Sequence, residues 1–180
     1  MIYSVILTLG VIFVNGWTDA PNSITGCVCS GALSMKKAVI LASFCNFLGV
    51  TASSLLFPVV AKNIFETAGV SGGALCASLL SVIIMAVGAW WFGIPTSESH
   101  AIIASLMGAS ISSGKDISIR LLLMTGFGLI ISVIGGFVAG YIIYSIIRNK
   151  KIGRVWEIFG AGVMAFMHGA QDGQKFISIL

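Results

Sequence analysis

Residues 13–24, "FVNGWTDAPNSI", decide how this chain folds. Apolar runs lie on both sides of the stretch, yet it holds an aspartate, two asparagines, a glycine and a proline. A polar, helix-breaking stretch at membrane depth is costly, and it is tolerated where it is buried in protein or lines a cavity. The stretch therefore predicts a membrane helix that is broken beside a cavity.

The composition is typical of a helical integral membrane protein. Of the 180 residues, 57% are hydrophobic and 9% are charged, and the mean hydropathy is +1.04. A soluble domain carries about 25% charged residues, so this chain has too little charge to cover a surface facing water. Its apolar runs are continuous, whereas the strands of a membrane β-barrel alternate. The net charge is +4, and the basic residues lie between apolar runs. This placement favours membrane topology over nucleic-acid binding.

About 20 apolar residues span a bilayer, and six segments of the chain approach that length. They are residues 2–32 (interrupted at 15–23), 38–61, 73–92, 95–112, 119–147 and 156–180. We expect an all-α, polytopic membrane protein with broken or half helices. On the fifth segment, Gly135, Gly136 and Gly140 are expected to allow close helix packing.

The distribution of basic residues predicts that the N-terminus lies outside a cell (plasma or inner) membrane. The cytoplasmic side would carry Lys36, Lys37, Arg148, Lys150, Lys151 and Arg154. The outer side would carry Lys62, Lys115 and Arg120, diluted by Glu66 and Asp116. A re-entrant hairpin of the third and fourth segments would leave this orientation unchanged.

An internal repeat relates the two ends of the chain. Residues 15–24, "NGWTDAPNSI", match residues 168–177, "HGAQDGQKFI", at a constant offset that aligns Gly16 with Gly169 and Asp19 with Asp172. Five predicted crossings separate the copies, so the second would have the opposite orientation. Such inverted-topology repeats are typical of secondary transporters. We expect residues 1–154 to form the first repeat and 155–180 the opening helix of a truncated second one.

Asp19 and Asp172 are the first candidate site residues, as a pair of cation-coordinating carboxylates with one in each repeat. Thr18 and Asn22 would complete the first cation site, since small cations prefer oxygen ligands. The alternatives are structural pairing for the aspartates and helix capping for Asn22 and Thr18.

A second polar stretch, "FGIPTSESHAIIA" at residues 92–104, predicts an anion site. Hydroxyl groups and unpaired N–H groups in the first turn of a helix suit phosphate or sulfate. The candidates are Thr96, Ser97, Ser99 and His100, and a simple helix cap is the alternative. Glu98 would repel a bound dianion unless it is protonated or paired. We hypothesise that it either couples proton movement or pairs with Lys175.

Three stretches, "VNGWTDAPNS", "GIPTSESHAIIASLMGASI" and "FMHGAQDGQKF", resemble the inorganic phosphate transporter family often called PiT, across nearly the whole chain. Thr18 and Gln171 stand where that family usually shows asparagine, and Glu98 stands where many members have threonine. The resemblance implies a phosphate symporter driven by sodium or protons, with two inverted repeats, phosphate near the centre and a possible dimer. Gln171 and Lys175 are assigned to phosphate binding, although Lys175 aligns with Asn22 and could instead replace a cation.

The expected function is secondary transport of inorganic phosphate, coupled to sodium or protons by alternating access. Neither enzymatic chemistry nor a cofactor is expected, and the expected partners are the bilayer and a missing second repeat or a homodimer partner, with no nucleic acid. Three alternatives stay open: a permease for sulfate or another tetrahedral oxyanion, an uncoupled anion channel, and a non-transporting half-subunit.

Overall fold

A computed structural model describes residues 2–56, 71–94, 96–114, 119–150 and 153–177, and the regular structure in these ranges is helical, with no strand. The helices are α1 (Ile2–Thr18), α2 (Thr25–Cys29), α3 (Met35–Leu56), α4 (Gly72–Phe92), α5 (Glu98–Ser112), α6 (Ile119–Ile147) and α7 (Arg154–Ile177). A short 3-10 helix, Ala20–Ser23, joins α1 to α2. The prediction of an all-α membrane protein is confirmed.

The predicted break in the first segment is present, but it begins later than expected. The helix was predicted to stop at Asn15, whereas α1 continues to Thr18 because the Asp19 N–H still donates to the Asn15 carbonyl at 2.9 Å. The break is centred on Pro21, which has no N–H to extend the helix. It leaves a 3-10 turn and then α2.

Four helical stretches are long and apolar enough to cross a membrane: Ile2–Ser23, Met35–Leu55, Gly72–Phe92 and Gly126–Ile147. At about 1.5 Å per residue, the 15-residue α5 is too short to cross a bilayer alone. It folds back on α4 after Gly93, whose φ of 67° suits glycine. The Ser78 hydroxyl, on α4, lies 3.1 Å from the Ser105 carbonyl on α5 and holds this hairpin together.

The described helices pack into two groups, one on each side of the break. The first unites α2, α3 and α7 around small buried residues, among them Ala38, Ala42 and Ala165. The second unites α1, α4 and α5 around Val11, Leu79, Val82, Ile102 and Leu106, with Phe176 of α7 reaching into it. The break in α1 therefore lies where α7 meets both groups.

The closest helix contact joins α3 to α7 through glycine. A Cβ on Gly169 would lie 2.2 Å from the Asn46 carbonyl oxygen, and one on Gly49 would lie 2.0 Å from the Phe166 carbonyl oxygen. Both distances are far inside van der Waals contact, so only glycine lets the two backbones approach this closely. The part of α7 around Gly169 is thereby packed directly against α3.

Helix α6 stands apart from this packing, since almost all of its described side chains are exposed. The expectation that Gly135, Gly136 and Gly140 provide close packing is wrong for the part of the chain that the structure describes, because a Cβ on each would have no described neighbour within 4 Å. The close packing occurs instead at Gly49 and Gly169.

Several residues used to predict the topology lie outside the described residues. They are the end of the second segment at 57–61, the predicted helix opening at Pro95, and the charged residues Lys62, Glu66, Lys115, Asp116 and Lys151.

Candidate functional site

A cleft of about 270 Å³ brings together residues from both polar stretches of the sequence. Thr18, Asp19 and Asn22 line it from the break in α1, and Thr96 lines it from the segment that leads into α5. Trp90 of α4 also lines it, with its ring centroid 4.3 Å from that of Trp17. Three predicted cation ligands and one predicted phosphate ligand thus share one cleft.

The start of α5 places its polar residues in different surroundings. Ser97 occupies the N-cap position, but its side chain makes no capping hydrogen bond. Ser99 is half-buried, and His100 is exposed. By contrast, the Ser71 side chain does cap α4 by accepting from the Ala74 N–H. Capping therefore does not account for the Ser97 hydroxyl.

Glu98, the first residue of α5, is almost completely buried, with 2% of its surface exposed. The Thr18 hydroxyl lies 3.3 Å from Glu98 Oε1 and 3.0 Å from the Val14 carbonyl, so its proton can be donated to either. The second carboxyl oxygen, Oε2, is buried without a hydrogen-bond partner. This carboxyl group thus connects the start of α5 to the end of α1.

The second motif presents a different arrangement on α7. Asp172 is 6% exposed, and the Lys175 ammonium contacts its Oδ1 atom. His168 Nε2 lies 3.2 Å from Oδ2, at ion-pair distance but without hydrogen-bond geometry. Residues three and four positions apart share one helix face, so the unbroken α7 brings these side chains together.

The two motifs meet across the break. Asp19 interacts electrostatically with His168, Asp172 and Lys175, and Glu98 interacts with Asp19 and Asp172. Asp19, Glu98 and Asp172 thus form one cluster of electrostatically interacting groups, with Lys175 and His168 on its α7 side. The sequence predicted Asp19 and Asp172 as a pair of cation ligands; the fold places Asp19 in the cleft and Asp172 beside the neighbouring cavity, and their pairing on cations stays a prediction.

A mostly apolar cavity of about 420 Å³ lies behind this cluster, between the break, α3 and α7. Its polar lining includes Asn15, Asn46, His168 and Asp172. Asn15 is 5% exposed and its buried amide nitrogen has no hydrogen-bond partner among the described residues, yet sequence reasoning did not select it. Its alignment with His168 in the repeat was the signal that could have identified it.

Gln171 lies away from the cleft. It is exposed and lines a separate groove between α3 and α7, together with Ser53 and Gln174. Among the described residues, no three His, Cys, Asp or Glu side chains are placed to hold a metal ion. A cation at Asp19 would therefore need hydroxyl, amide or backbone oxygens as its other ligands.

Comparison with known proteins shows one consistent similarity. A profile of the phosphate transporter family (PHO4) matches residues 15–156. A protein of Bacillus subtilis named as a probable low-affinity inorganic phosphate transporter is 34% identical, with 98% of this chain and 57% of that protein aligned. A protein of the same name from Mycobacterium leprae is 27% identical, over 100% of this chain and 47% of its own length.

The low-affinity inorganic phosphate transporter PitB of Escherichia coli is 29% identical, over 93% of this chain and 42% of its own length. The chain thus spans about half the length of the curated relatives that it matches. No solved structure matches it significantly.

Proposed function

The chain belongs to the phosphate transporter family, and from this premise we propose that it forms part of a secondary transporter for inorganic phosphate. Its relatives are named as phosphate transporters, and its own helices suit a bilayer. The proposed protein lies in the cell membrane with its N-terminus outside. Its two inverted repeats would move against each other to open the site to each side in turn.

One observation carries this proposal: the cleft shared by Asp19 and Thr96. A phosphate bound at the start of α5 would lie beside the Asp19 carboxylate, and the like charges would repel each other. A cation at Asp19 removes that repulsion, so phosphate binds well only when the cation is present. This is the physical basis of coupled transport, because neither ion then crosses efficiently alone.

The proposed phosphate ligands are Thr96, Ser97 and Ser99, together with the unpaired N–H groups of the first turn of α5. They provide hydrogen bonds and a partial positive charge without a full cation. The uncapped Ser97 hydroxyl supports this assignment. His100 is exposed near the same helix start, where it could donate to the anion.

The proposed cation ligands are the Asp19 carboxylate, the Thr18 hydroxyl and the Asn22 amide. Because Pro21 has no N–H, the Trp17 carbonyl four residues before it lacks its usual helix partner and can be a further ligand. This set of oxygens suits sodium. Glu98 makes a proton the second candidate, since one of its buried carboxyl oxygens has no hydrogen-bond partner and can carry the proton.

The test is uptake of labelled phosphate into liposomes that contain the purified protein, alone and joined to the remaining half of the Bacillus subtilis relative. We expect uptake that a sodium or proton gradient stimulates and that arsenate inhibits. Asp19→Asn should remove the stimulation, whereas Ser113→Ala, an exposed position after α5, should retain it. Inhibition by molybdate instead of arsenate would identify a sulfate permease. Absence of uptake under both gradients would refute the phosphate assignment.

A further inference from the structure

The two copies of the repeated motif hold their aspartates in different ways. Asp19 stands at the end of α1 and lines an open cleft together with Asn22. Asp172 lies inside the continuous helix α7 and is 6% exposed. Asp19 therefore lines the cleft, whereas the aligned Asp172 is nearly buried beside the mostly apolar cavity.

Because α7 is continuous, the charged residue that contacts Asp172 comes from the same helix. In the second copy Lys175 occupies the position that Asn22 holds in the first. Because α7 is unbroken, Lys175 lies one turn beyond Asp172 and its ammonium group contacts Oδ1. In the first copy the chain leaves the helix at Asp19, and the aligned side chain is a neutral amide.

A buried carboxylate needs a cation or several hydrogen-bond donors to offset the loss of water. The lysine ammonium is a compact point charge with three donors, which makes it a stand-in for a small monovalent cation. His168 approaches the other carboxyl oxygen from the preceding turn. The positive charge that balances the Asp172 carboxylate thus comes from the same helix.

We propose that Lys175 is a tethered cation that fills the cation position of the second motif, so that only the Asp19 position takes up a free cation. This inference rests on the proposed function, because it assigns the aspartates to cation binding. It gives the two motifs unequal roles: the first binds and releases the coupling ion, while the second carries a permanent charge. Lys175 then acts on phosphate only indirectly, by lowering the negative charge of the cluster.

The test is equilibrium binding of radioactive sodium to the purified protein in lipid nanodiscs. Lys175→Asn copies the first motif and exposes Asp172 to the solvent cation, so we expect sodium binding to rise by about one ion per chain. Lys175→Arg keeps the charge and should bind as the unmodified protein does. The double variant Asp172→Asn with Lys175→Asn removes both charges and should lose the extra ion.

Unchanged sodium binding in a folded Lys175→Asn variant would overturn the proposal. So would a Lys175→Asn variant that stays unfolded in sodium while the neutral double variant folds, because sodium would then be unable to take the place of the ammonium. The comparison of Lys175→Asn with the unmodified protein does not depend on whether Asp19 binds sodium. If the unmodified protein binds no sodium, Asp19 is not a sodium site and the proton remains as the coupling ion, yet the gain in Lys175→Asn is still measured against that baseline.

Discussion

At the residue scale, Pro21 gives residues 15–24 a different backbone from the aligned residues 168–177. Pro21 has no N–H, so the helix ends and Asp19 faces the cleft. Gln174 occupies the aligned position on α7, donates its N–H normally, and lets the helix continue to Ile177. The chemistry available to each aspartate is thus set by the residue two positions further along the chain.

Replacing Pro21 with glutamine should therefore convert the first copy to the geometry of the second. We expect α1 to extend through the break and to pull Asn22 out of the cleft, with the initial rate of phosphate uptake falling by about tenfold or more, equivalent to about 1.4 kcal/mol. Circular dichroism should show equal or higher helix content. Cys29→Ser, an exposed change in α2, is the control and should retain uptake. Normal uptake by Pro21→Gln would show that the break is not required.

Glu98 permits a second prediction at this scale. In Glu98→Gln the side chain keeps its volume and can still accept from Thr18, but it can no longer gain or lose a proton. If Glu98 carries the coupling proton, uptake by the variant should lose most of its dependence on a proton gradient. The measurement is uptake at a fixed sodium gradient while the pH gradient is varied. An unchanged response would exclude the proton role and leave sodium as the coupling ion.

The sequence predicted the members of the cleft better than it predicted their contacts. Asp19 and Asn22 were selected as polar residues inside an apolar run and Thr96 as a hydroxyl group at a helix start, and the fold brings them together. The burial of Asn15 was not predictable, because it depends on how α1 packs against the other helices. The pairing of Lys175 with Asp172 was likewise hidden, since nothing in the motif itself showed that α7 stays unbroken.

At the scale of the elements, the contact between α3 and α7 holds the second motif in place. Gly169 lies directly after His168 and three residues before Asp172, so this contact sets the position of the charged face of α7. The sequence predicted close packing from the glycines of α6, but glycine alone does not show which helix faces meet. Small residues are required where backbones approach, and that depends on the tertiary arrangement.

Gly169→Ala should destabilise the protein. The new Cβ would lie 2.2 Å from a backbone oxygen, which cannot move without separating the helices. We expect a loss of about 1–3 kcal/mol in stability and a lower melting temperature in detergent. Gly160→Ala, on the same helix, has open space for its Cβ and should be neutral or slightly stabilising. Equal melting temperatures for the two variants would contradict the close approach of α3 and α7.

At the scale of the whole molecule, the exposed apolar surface requires a bilayer or further protein around the chain. Helix α6 is the clearest case, because no residue in its apolar, membrane-length stretch is buried. Exposure of apolar side chains such as Phe127, Ile134 and Phe137 to water is unfavourable, whereas contact with lipid or a neighbouring helix suits them. The membrane class was predictable from composition, whereas the direction of insertion stays a prediction that rests on the placement of basic residues.

That direction gives the last prediction. With the N-terminus outside and the hairpin of α4 and α5 returning to the side from which α4 enters, the turn after α5 lies outside and the turn after α6 lies in the cytoplasm. Single cysteines at Ser113 and Asn149, both exposed, test this in a variant whose four native cysteines are replaced by serine. A membrane-impermeant maleimide should label Ser113→Cys on intact cells and Asn149→Cys only after the membrane is opened. The reverse pattern would invert the topology, and labelling of both or neither on intact cells would contradict a single crossing by α6.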